Sequence, residues 1–159
     1  MKNSINLMLA RFYRKSANYN LELNTELIEI IIGLMLGDLF AEKRNPNSNT
    51  RLQFKQSIKN KVYIDHLYSL FKEYCNTEPK VISSIDNRPG KKELNVSIKF
   101  WTPSLPCFNQ FRELFYDNSG KKFIPLNLEE IITVKSLASW VMVVGDACIF
   151  FILLYYYFM

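Results

Sequence analysis

The chain has 159 residues, enough for one domain with a real core. Hydrophobic residues at 48% and aromatics at 14% exclude a disordered protein, and the net charge of +5 is a mild pull toward an anionic partner such as nucleic acid or a membrane surface. The single histidine argues against histidine zinc sites and Ser-His-Asp triads, and Cys75, Cys107 and Cys148 show no CxxC spacing, which fits thiols kept reduced inside a cell.

Residues 1–23 form a basic N-terminal segment. Its apolar stretch is short and is followed at once by Arg11, Arg14 and Lys15, so it is not a secretory signal; basic with Ser and Asn, it weakly suits a mitochondrial transit peptide. "NTELIEIIIGLML" reads as a helix capped by Asn24 or Thr25, with Glu26 and Glu29 in its first turns where the dipole favours them. It ends on Gly37 and Asp38. A helix so apolar is expected to be buried, and a buried carboxylate at a helix C-terminus is costly unless something pairs with it. A metal ligand is one reading of Asp38, and a plain helix exit is the other. Gly33 and Gly37, at i and i+4, let another backbone come close.

"DLFAEKR" and "RLQFKQS" flank the turn formers "NPNSNT" and predict a hairpin. In its second strand Leu52 and Phe54 share one face, and Arg51, Gln53 and Lys55 the other. "NKVYIDHLYSLFKEYC" puts Tyr63, Leu67, Leu70, Phe71 and Tyr74 on one helical stripe. A second hairpin follows, "KVISSID" and "ELNVSIKFW" around "NRPGKK", with Leu94, Val96, Ile98 and Phe100 in alternation. "SLPCFNQFRELFY", "LNLEEII" and "SLASWVMVV" read as further helices. The order is helix, two strands, helix, two strands, then helices: an α+β chain whose antiparallel sheet carries helices on one side. Residues 24–134 form the main domain, and residues 135–159 a last helix and an apolar tail.

Between Lys43 and Lys61 there are six basic residues and no acidic one. A twisted sheet with such a face suits a major groove, where Arg, Lys and Gln reach phosphates and base edges. A solvated sheet face is the plainer alternative.

These residues carry a resemblance. "IIGLMLGD" resembles the first motif of the LAGLIDADG homing endonucleases. "LQFKQSIKNKVYIDHLYSLF" resembles their strand-then-helix segment, and "KKFIPLNLEEIITVKSLASWVM" the run leading into their second motif. The resemblance implies two helices packed through their glycines at a pseudo-twofold axis. Each delivers a carboxylate to a site holding a divalent metal, normally Mg2+, and four-stranded sheets form a saddle over double-stranded DNA. By position Asp38 is the first catalytic carboxylate and metal ligand. Lys122 matches a lysine assisting at the active site, and Gln53 a polar residue near it. Strand parity adds Lys43, Arg51, Lys55 and Lys99, with Gln53, as the DNA-binding set.

Where the family ends its second helix on acidic residues, this chain has Val143 and Val144, and Asp146 lies two places beyond. The resemblance therefore implies a site-specific DNA endonuclease shortened after a degenerate second motif, with impaired cleavage. An RNA-binding intron maturase on the same fold is the alternative. A monomer is expected, with a homodimer through the first motif helix as the alternative. Family habit implies an organelle, the mitochondrion or the chloroplast. The apolar tail "ACIFFILLYYYFM" is expected to come from a shifted reading frame or a premature end in AT-rich DNA; a membrane span is disfavoured because the stretch after Asp146 is shorter than the roughly 20 residues a spanning helix needs.

Overall fold

The computed structural model describes residues 21–85 and 94–144. Helix α1 (Thr25–Leu36) starts at Asn24, whose side chain accepts from the Leu27 N–H at 2.8 Å. Strands β1 (Phe40–Glu42) and β2 (Arg51–Ser57) form the first hairpin. Helix α2 (Lys61–Phe71) follows, then β3 (Lys80–Ile85) and β4 (Leu94–Trp101). Helices α3 (Asn109–Phe115), α4 (Leu128–Ile131) and α5 (Val134–Val144) complete the described chain. The element order and the α+β class are those expected from the sequence. The apolar tail and Asp146 lie outside the described residues, and so does the expectation about the tail's origin.

The sheet is antiparallel with strand order β1-β2-β4-β3. Its helix-facing side is apolar: Leu52, Phe54, Ile98 and Phe100 are buried, and the Phe54 and Phe100 rings stack with centroids 4.4 Å apart. Phe71 of α2 closes on Phe54 at 4.9 Å, and Tyr68 meets Phe100 edge-on at 5.4 Å. The buried stripe of α2 includes Ile64, which the sequence reading passed over, while Tyr63 and Leu70 are only half-buried. The cause is neighbourhood: the Tyr63 hydroxyl turns to the Ser139 carbonyl of α5 at 3.4 Å, and Ile64 takes the place toward the sheet. Leu21 and Leu23 of the N-terminal segment also pack on the core. The outer half of the β3–β4 hairpin extends past this core, leaving Ile85 and Leu94 64% and 66% exposed.

Helix α5 starts at Thr133, whose hydroxyl accepts from the Ser136 N–H at 3.2 Å. It runs along α1 in the same sense. Lys135 pairs with Glu26 at 2.9 Å near the two N-termini, Ser136 lies against Gly33, and Val143 meets Gly37 near the two C-termini. A Cβ built at Gly33 would overlap the Ser136 carbonyl oxygen and come within 2.8 Å of its carbon. At Gly37 the obstacle is a side chain, the Val143 Cγ1 at 2.8 Å. The glycine face of α1 is thus covered by a helix of the same chain. No helix among the described residues is long and apolar enough to cross a membrane.

The two glycines differ in what blocks them, and this gives an expected ranking. Gly33→Ala must move a backbone, so it should lose about 1–3 kcal/mol to overpacking, offset only in part by the roughly 1 kcal/mol that Ala gains in a helix. Gly37→Ala meets a side chain rather than a backbone, the Val143 Cγ1 and Cβ, and should lose less. Urea unfolding of both variants checks this; equal stability of Gly33→Ala and the unmodified protein would contradict the backbone contact.

Candidate active site and nucleic-acid interface

The site is built where α1 ends. Gly37 and Leu39 both donate their N–H groups to the Leu34 carbonyl, at 3.0 and 3.1 Å, which closes the helix in a tight turn. Leu39 is buried, and Asp38 between them is left on the surface. The expectation of a buried carboxylate is corrected here: the turn anchors through Leu39, so the aspartate side chain goes to solvent and its burial cost is avoided.

What the helix end needs is positive charge near its exposed carbonyls, and Lys122 supplies it. Its ammonium donates to the carbonyl of Gly37 at 2.8 Å and to that of Leu39 at 3.0 Å, on either side of Asp38. Burial pushes the Lys122 ammonium below the ordinary lysine value, and the Asp38 charge works the other way. The loop that brings Lys122 back is specified locally. Asp117 accepts from the Lys121 N–H at 2.9 Å and from the Ser119 hydroxyl at 2.6 Å, and Gly120 takes the left-handed conformation at φ 82°. Tyr116 and Lys122 then form an antiparallel bridge. The end of α3 secures edge strand β1: the Tyr116 hydroxyl accepts from the Ala41 N–H at 3.2 Å, and Arg112 donates to the Ala41 carbonyl at 2.8 Å.

Beside Asp38 stands Gln56, whose amide nitrogen lies 3.5 Å from the carboxylate. Asp38, Lys55, Gln56 and Val143 line one small hollow where α1, β2, α2 and α5 meet. Gln56 was missed because strand parity puts it with the core-facing residues; only the turn at Gly37 brings Asp38 within its reach. Gln53 sits elsewhere, on the open side of the sheet between Phe40 and Trp101.

That open side holds the basic residues. Cross-strand register aligns Lys55 of β2, Lys99 of β4 and Lys80 of β3 in one transverse row. Arg51 lies on the same side, paired with Glu42, its Cζ 4.1 Å from the centre of the Trp101 ring. Lys43 does not belong to it. The strand ends at Glu42, so parity fails to reach Lys43, which instead lines a cleft of about 670 Å3 with Arg44, Arg112 and Asp117.

A protein-only metal cage is absent: among the described residues no cluster of three or more His, Cys, Asp or Glu side chains forms. One exposed carboxylate at a helix end, next to a basic face, fits a Mg2+-type ion that takes most of its oxygen ligands from water and phosphate.

Comparison with known proteins places this geometry. Residues 28–149 match the model of the LAGLIDADG DNA endonuclease family. The chain is 36% identical over 156 residues to cytochrome b mRNA maturase bI2 of Saccharomyces cerevisiae, covering 92% of this chain and 36% of that protein. It is 32% identical over 114 residues to a probable intron-encoded endonuclease 1 of Wickerhamomyces canadensis, covering 72% of this chain and 47% of the relative. The solved structure of the homing endonuclease I-WcaI bound to its DNA recognition sequence is similar with a TM-score of 0.71 and 28% identity, over 84% of this chain and 55% of that one. The chain therefore spans about a third to a half of the curated relatives it matches. With its paired motif helices, its four-stranded antiparallel sheet and these relatives, the chain belongs to the LAGLIDADG DNA endonuclease family.

Proposed function

We propose that this chain hydrolyses a phosphodiester of double-stranded DNA in a divalent-metal-dependent reaction, as one half of a homing-type site, and that it nicks rather than cuts both strands. The observation that carries the reading is the position of Asp38: exposed, held by a turn that Lys122 clamps on both sides, and bordering the sheet that presents Lys55, Lys99 and Lys80.

On this reading the open face of the sheet lies along the duplex. The lysine row takes phosphates as mobile point charges. Asp38 is the residue that would hold the metal, with Gln56 orienting the carboxylate. A divalent ion bound there supplies a Lewis acid for the phosphoryl oxygen and a more acidic bound water. Lys122 fixes the turn, and its weakened hold on its proton suits a group close to developing charge. Gln53 is a contact of the saddle rather than of the metal. At the matching place on α5 stands Val144, and a valine cannot ligate a cation, so one strand is served and the other is not.

A second reading is favoured by the relatives named as maturases, at 36% and 34% identity. A basic sheet also suits the phosphates of intron RNA, and a binding role tolerates a lost carboxylate. Direct competition between duplex DNA and the structured intron RNA separates the two. The cytochrome b relatives favour an organelle setting, the mitochondrion, for either reading.

Two outcomes are expected. With Mg2+ and a supercoiled plasmid carrying the gene's own uninterrupted insertion site, the protein should give relaxed circles and no linear product. Asp38→Asn should abolish relaxation and keep DNA binding, whose affinity falls with salt at a log–log slope near −0.9 per phosphate contact. Clean linear product from the unmodified chain would contradict the single-carboxylate site. Separately, the Lys122 ammonium should titrate lower still in Asp38→Asn, because the charge that opposes the effect of burial is gone. NMR titration of the Lys122 ammonium checks this; an unchanged titration would show that Asp38 does not act on it, and an upward shift would contradict the sign of the effect.

A further inference from the structure

We infer that Arg51 is the guanine-reading side chain of this sheet and that Glu42 is its positioning residue; the inference rests on the proposal that the open face meets duplex DNA. By register the open face carries Phe40 and Glu42 from β1, Arg51, Gln53 and Lys55 from β2, and Lys99 and Trp101 from β4. Among the described strand residues, Glu42 is the one carboxylate on that side. A carboxylate there repels phosphate, so its contribution has to be geometric rather than to affinity.

Its geometry is specific. Glu42 sits directly opposite Arg51 and accepts from Nε of the guanidinium. The guanidinium carbon lies 4.1 Å from the centre of the Trp101 ring, a stacking distance. The two side chains of the pair are only 18% and 29% exposed, so the ion pair is partly withdrawn from water and is held more firmly than a free surface pair. Nε is thereby used and one face of the guanidinium is covered. The terminal Nη1 and Nη2 are left as donors. Two parallel N–H groups on a fixed plane match O6 and N7 of guanine in the major groove, the commonest bidentate base contact. A phosphate needs no such restraint and can be met by a mobile ammonium such as that of Lys55, beyond Gln53 on the same face.

The test starts from duplexes selected by the unmodified protein out of a randomised library. Each base pair of the selected site is then replaced in competition binding, for the unmodified protein, Arg51→Lys and Glu42→Gln, with thermal unfolding of each variant. The expected result is one G·C pair whose replacement weakens binding by the unmodified protein about 10- to 100-fold. Arg51→Lys should lose that preference, since an ammonium cannot bridge O6 and N7 on a fixed plane. Glu42→Gln should lose part of it while binding random duplex at least as tightly, because a repulsive charge is removed. A merely structural cross-strand pair would move the melting temperature and leave the preference intact. Uniform weakening across all sequences in Arg51→Lys would mark Arg51 as a phosphate contact and overturn the inference. Duplex binding with every preference unchanged in both variants overturns the inference alone, whereas no duplex binding by the unmodified protein overturns the DNA-saddle proposal and this inference with it.

Discussion

Where α1 and α5 cross, the Ser136 carbonyl lies against Gly33 with no room for a side chain between the two backbones. Close backbone approach at that point sets the separation of the helices, and the separation sets what their ends can do together. Both helices run the same way, so both C-termini arrive at one end of the molecule, with Asp38 and Val143 at the same hollow. Ser136 is fully buried, its hydroxyl 3.1 Å from that of Thr133, which joins the capping of α5 to the contact itself. A change at this crossing therefore reaches the site without touching any of its residues.

At the end of α1 the physics is electrostatic. A helix C-terminus disfavours an aspartate, and the chain answers with a lysine rather than by moving the aspartate. Lys122 comes from 84 residues away in sequence yet touches the carbonyls of both neighbours of Asp38. The turn is thus tied down on both sides of Asp38 while its carboxylate stays open, which is the combination a phosphate-sharing cation calls for. The sheet divides its charges too: Lys55, Lys99 and Lys80 form a row across three strands, with Lys99 5.6 Å from the centre of the Trp101 ring, and the one arginine of β2 is held by an acid and by the same indole.

Much of the fold was legible because the relevant signals are local. Asn24 before a run of apolar residues, the alternation at Leu52 and Phe54, and the turn formers after Arg44 each specify their element within a few residues. The first motif was legible for the same reason and led to Asp38, while Lys122 came from the separate run "KKFIP". What the sequence hid was set by the three-dimensional neighbours. The exposure of Asp38 depends on Leu39 being the anchor of the turn. Gln56 comes into play through that turn, although parity places it with the core. Lys43 looked like a strand residue until β1 stopped at Glu42. The Glu42–Arg51–Trp101 arrangement needs the register of three strands, which no single stretch contains. Nor could the partner of Gly33 be read, since Ser136 lies on another helix more than a hundred residues on.

The central claim is that the paired helix ends form a metal site with one carboxylate. The most direct measurement is anomalous scattering from crystals of the protein with its selected duplex, grown with Mn2+ in place of Mg2+. A single Mn2+ peak is expected between an Asp38 carboxylate oxygen and a DNA phosphate, and none at the C-terminal end of α5. Mn2+ at both helix ends, or density beside α5 and none at Asp38, would contradict that claim.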